Sequence, residues 1–175
     1  MTARPGPRAL LAAAAHEKHA YTQGEERPLG SFLALMGVYG TLTAGLAGAV
    51  RARGQGLPEH ISPGDLALVT VATAELSRLL AKDPVTSPLR APFTTFNGTS
   101  GEAELAEEVR GSGPRKAVGE LVTCPFCLGQ WVATGLLFGL VLAPRPTRLA
   151  ASVLTAVGGA SVLQLAYARL QSAAT

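Results

Sequence analysis

Three long runs of this sequence carry no charge at all, and they constrain its fold more than any other feature. Gly30 to Val50 is twenty-one residues, Leu121 to Ala143 twenty-three, and Leu149 to Ala168 twenty. A helix rises about 1.5 Å per residue, so about 20 residues cross a hydrocarbon core of about 30 Å. A chain of 175 residues is too small to bury three such helices on every side in water. The runs therefore predict membrane-spanning helices, and the fold class predicted is an all-α, polytopic membrane bundle. Only 15% of residues are charged and 47% are hydrophobic, which excludes a disordered chain.

A fourth stretch is less apolar. Leu66 to Ala81 is interrupted by Glu75 and Arg78. Ser62 reads as an N-cap, Pro63 as the first helical residue, and Asp65 as the acidic residue three after the cap. Glu75 and Arg78 are three apart, share a helix face and can pair. Arg78 can snorkel toward the Lys82 end, whereas Glu75 is deeper and needs a partner.

Loop charge decides between three spans and four. With four spans, eleven of the fifteen Lys and Arg residues fall on one side and four on the other; with three, the split is nine to six. The positive-inside rule favours the steeper bias. The predicted threading has spans at 30–50, 63–82, 121–143 and 149–168. A tail at 1–29, a polar loop at 83–120 and a tail at 171–175 then face the cytoplasm of a bacterial inner membrane. Ala9 to Ala15 is short for a signal peptide and reads as an interfacial amphipathic turn. The basic excess, net +3, lies in connections beside apolar runs. That suits anionic lipid headgroups, and with no basic helix face it predicts no nucleic-acid partner. Gly101 to Arg110, with Glu102, Glu104, Glu107 and Glu108, reads as a short acidic helix. The loop containing it is the expected protein-partner surface.

The sharpest motif is Cys124-Pro125-Phe126-Cys127. Pro125 expels Cys124 from helical conformation and suits the first position of a new helix, predicted from Pro125 to Ala143. Cys124 is then the N-cap, at the positive end of the helix dipole, which favours a thiolate. Three readings stand side by side: a structural helix start, a thiol pair in which Cys124 attacks and Cys127 resolves, and half of a zinc site completed by a second chain. Arg115 and Lys116 would support the thiolate and Glu120 would oppose it. His16, His19 and His60 are the other good soft ligands. Small residues form stripes at Gly40, Ala44 and Gly48, at Gly135 and Gly139, and at Thr155 and Gly159. They suit close helix packing within the bundle, or else a homo-oligomer face. No phosphate loop, dinucleotide fingerprint, HExxH or hydrolase elbow is present, so the expectation is a non-enzymatic scaffold or interaction protein.

Several segments together resemble a known family. They are Leu76 to Asp83, Val85 to Phe93, and Gly119 to Trp131 with its Cys-Pro-Phe-Cys-Leu-Gly core. The sequence resembles, over about Phe32 to Ala168, small bacterial membrane proteins known as a domain of unknown function, number thirteen-sixty, which includes a sporulation protein. The resemblance implies a multi-span membrane protein with a paired-cysteine hallmark, and it supplies no catalytic residue or cofactor. Arg78, Lys82 and Arg90 are candidate contacts for lipid phosphates.

Overall fold

The computed structural model describes residues 6–23, 25, 27–101 and 103–174. Its helices are α1 (Pro7–Thr22), α2 (Leu29–Ala52), α3 (Pro63–Lys82), the single turn α4 (Ser87–Arg90), α5 (Gly113–Thr123), α6 (Pro125–Leu142) and α7 (Pro144–Ala174). A 3-10 turn at Pro84–Thr86 joins α3 to α4, and strands β1 (Thr94–Gly101) and β2 (Glu104–Val109) form an antiparallel hairpin. Glu102 lies outside the described residues.

The apolar runs become helices close to their expected limits. Prolines set several boundaries. Ser62 caps α3 by accepting a hydrogen bond from the Asp65 amide at 3.1 Å, ahead of Pro63. Ala143, held out of helical conformation before Pro144, separates α6 from α7. The run 121–143 is not one helix: Leu121–Thr123 complete α5, and the extended Cys124 breaks the path before α6.

Helix α3 is the centre of the bundle. It buries Val69, Ala72, Glu75, Ser77 and Ala81 and packs on both α6 and α7. Helix α2 runs alongside α6, joined by the Tyr39 hydroxyl bonded to Thr134 Oγ1 at 2.8 Å and by an edge-on Tyr39–Trp131 ring pair at 5.2 Å. The ends are clamped by ions. Arg148 donates twice to the Asp65 carboxylate at 2.8 Å, joining the starts of α7 and α3. Arg53 donates to the Leu142 carbonyl at 3.2 Å, joining the ends of α2 and α6. Arg27 reaches Glu120 at 3.4 Å at the opposite end. Thus α2 and α6 point one way and α3 and α7 the other.

Among the described residues, three helices are long and apolar enough to cross a membrane: α2, α6 and α7. Within the chain only 6%, 6% and 11% of their most apolar windows are buried. Leu33, Met36, Val153, Val157, Val162 and Leu163 all project outward. The central α3 does not meet that apolar standard, because it carries Asp65, Glu75, Arg78 and Lys82.

The hairpin corrects the all-α expectation. The stretch 101–110 is not a helix; β2 pairs with β1 in the register Thr94–Val109, Thr95–Glu108, Phe96–Glu107, Thr99–Leu105 and Gly101–Glu104. The register slips on either side of Thr99. Gly98, at φ 103°, supplies the first irregularity without strain. Ala and Glu favour helix in isolation, but β1 offers Thr and Phe for cross-strand pairing, and tertiary pairing overrides local propensity.

Candidate functional site

The segment 83–120, expected as a polar loop, is a folded cap over one end of the bundle. Its organising side chain is Arg90, which is 1% exposed. An arginine is buried this completely only when its donors are matched. Arg90 Nε pairs with Glu107 Oε2, and that carboxylate is 6% exposed. Nη1 donates to the Leu80 carbonyl at 2.8 Å and to Thr86 Oγ1 at 2.7 Å, and Nη2 to the Asp83 carbonyl at 3.0 Å. Leu80 lies in the last turn of α3, where carbonyls have no helical partner. Arg90 therefore caps the central helix and at the same time fixes β2. Thr94 adds a hydroxyl bond to the Arg90 carbonyl at 3.0 Å. The expected contact of Arg90 with lipid phosphate is thereby excluded, since protein occupies its whole guanidinium.

The intramembrane candidates Glu75 and Arg78 are brought together. Arg78 Nη2 donates to Glu75 Oε1 at 2.7 Å, with Nε to Oε2 at 3.3 Å. Arg78 Nη1 also approaches Glu104 of the hairpin at 3.8 Å. Two carboxylates of β2, three residues apart, thus meet two arginines from the α3 region. Glu75 packs against α7 at Gly158, where a methyl group would come within 3.4 Å of Glu75 Cβ.

Helix α5 closes the cap. Arg115 donates to the Pro92 carbonyl, at 2.9 Å through Nε, and Arg110 to the Ala91 carbonyl at 2.8 Å. Gly119 sits so close to the hairpin that a Cβ would fall 2.6 Å from Val109 Cγ1 and 3.2 Å from the Phe93 carbonyl. Arg115 is thus held by the turn between α4 and β1.

Cys124 is the N-cap of α6: its Sγ accepts from the Cys127 amide at 3.2 Å. Both cysteines are free; Cys124 is half-buried and Cys127 exposed, beside Phe126. No group of three or more His, Cys, Asp and Glu that could hold a metal occurs among the described residues. The thiols are half of a zinc donor set, and the described chain does not complete it.

The small-residue stripes divide. Gly40, Ala44 and Gly48 lie on the exposed face of α2, with open space where a Cβ would stand on either glycine. Gly135 is also open. Gly139 packs against Thr147 of α7, with 2.8 Å from a built Cβ to Oγ1. Within the chain, α3 is instead approached through Gly129 of α6 and Gly158 of α7. Thr155 of the third stripe donates to the Leu68 carbonyl at 3.2 Å. Reading the sequence misses Arg90 and Gly119 as structural keys. Their signal is an arginine flanked by Leu89, Ala91, Pro92 and Phe93, and a glycine inside a helix.

A family model described as "Protein of unknown function (DUF1360)" matches residues 68–167. Sporulation protein YjcA of Bacillus subtilis (strain 168) is 28% identical over 102 residues, which is 57% of this chain and 86% of that protein. No solved structure matches the chain. The matched stretch begins at Leu68, so α2 and the first turn of α3 lie outside it, and it contains the rest of α3, the cap, the cysteines and most of α7.

Proposed function

The chain belongs to the family of unknown function DUF1360, and from that premise we propose that it is a four-span integral membrane scaffold whose cap presents a partner-binding surface in the cytoplasm. The spans are α2, α3, α6 and α7. Helices that leave Leu, Met and Val outward need lipid around them; in water each such side chain forgoes about 1.5–3 kcal/mol. Helix α3 crosses despite its charges because α6 and α7 flank it, Glu75 and Arg78 neutralise one another, and Asp65 is neutralised by Arg148. At 20 residues it spans about 30 Å, the thickness required. The charge bias supports a threading with the cap and both termini in the cytoplasm of a bacterial inner membrane.

The observation that carries the scaffold reading is the cap itself. A buried ion pair, an arginine-capped helix end and a glycine-mediated contact hold the hairpin rigidly, yet its outer strand leaves Phe96 65% exposed. An aromatic held outward on a rigid frame is the usual anchor of an interface. A photo-crosslinking side chain at Phe96 should give a discrete protein adduct in intact membranes, and one at Val162 on α7 should give lipid adducts alone. Lipid adducts alone at both positions would refute the partner-facing cap.

A further inference from the structure

Two cavities lie one above the other along α2 and α5, and their chemistries differ. The upper cleft, about 350 Å3, is lined by Lys18, Glu25, Arg27 and Lys116 with Ser112 and Gly113. Three basic side chains face one acidic one, and they come from α1, the α1–α2 connection and α5. Arg27 is held in place by Glu120 and by the Phe32 ring, 5.7 Å from its guanidinium carbon. The lower groove, about 530 Å3, is lined by Leu35, Met36, Tyr39, Leu121, Gln130 and Trp131. It runs between α2 and α6, one to two helical turns below the cysteine motif. Lys116 and Leu121 of α5 join the two levels, and Arg27 stands just above the helix that carries Leu35 and Met36.

We propose that this track holds one anionic phospholipid, its headgroup phosphate in the Lys18–Arg27–Lys116 cleft and an acyl chain in the Leu35–Met36–Trp131 groove. The proposal rests on the membrane threading above, which sets the cleft at headgroup level and the groove at chain level. Charge complementarity selects the occupant. A basic cleft at the cytoplasmic surface attracts a phosphate, and each basic side chain near an anionic lipid surface favours it about fivefold. The groove is apolar and aromatic, as an acyl chain requires. Inorganic phosphate could fill the cleft but has nothing to place in the groove.

Trp131 is the single tryptophan of the chain and lines the groove, so it reports occupancy directly. The full-length protein would be titrated in mixed micelles with phosphatidylglycerol or phosphatidylcholine carrying brominated chains, and tryptophan quenching followed. Brominated phosphatidylglycerol should half-quench at a mole fraction at least about fivefold lower than brominated phosphatidylcholine. Lys18→Gln, on an exposed helix, should reduce this preference, and Arg27→Gln with Lys116→Gln should remove it. Excess inorganic phosphate should leave it intact. Equal quenching by the two lipids would reduce the track to ordinary boundary lipid and overturn the proposal. Loss of the preference in inorganic phosphate would make the cleft a free-phosphate site and overturn it equally. Absence of quenching by either lipid would contradict the membrane threading itself.

Discussion

Arg90 joins three pieces of chain that are otherwise separate: the end of α3, the turn through Thr86, and β2 through Glu107. Arg90→Met leaves the Glu107 carboxylate buried without its cation, which costs about 3–5 kcal/mol. The expected result is a lowered melting temperature in detergent and early proteolysis within 94–109. Adding Glu107→Leu should restore most of the loss, since an apolar pair can replace a buried ionic one at little cost. Gly119→Ala forces a methyl group to within 2.6 Å of Val109, and such overpacking costs about 1–3 kcal/mol. Gly129→Ala, whose Cβ would meet Ser77 Oγ at 3.6 Å, should cost far less, and thermal melts of the two variants compare them directly. At this scale the sequence shows the Glu75–Arg78 pair, because helical spacing alone brings those residues together. It hides Arg90–Glu107, because the partners are 17 residues apart and meet only once the hairpin forms.

Among the elements, prolines make boundaries readable. Pro63 and Pro125 place the starts of α3 and α6 at the residues where they occur. The hairpin is the opposite case. Glu104 to Val109 is rich in helix formers, and its strand conformation comes from β1 and from the two arginines that take up Glu104 and Glu107. Local propensity carries no record of those partners. At Cys124, the role visible in the geometry is capping. Cys124→Ser preserves an acceptor for the Cys127 amide and should leave the α6 melt nearly unchanged. Cys124→Ala removes it and should cost about 0.5–2 kcal/mol. Equal stability of the two variants by thermal unfolding would show that the sulfur contributes nothing as a cap.

For the molecule as a whole, the uncharged runs reveal α2, α6 and α7, and the loop charges point to a fourth crossing. What they do not reveal is how the charges of α3 are satisfied. Its carboxylates are paired, Asp65 with Arg148 at one end and Glu75 with Arg78 within, and Arg90 caps its last turn at the other. Two-sided placement of the α3 ends is the central claim, and single-cysteine labelling in a Cys124→Ser, Cys127→Ser background tests it most directly. His60→Cys, ahead of α3, should react with a membrane-impermeant maleimide added to intact cells. Asn97→Cys, in the cap, should react only after the membrane is permeabilised. Labelling of both positions from the same side would show that α3 does not cross, and would contradict the four-span scaffold.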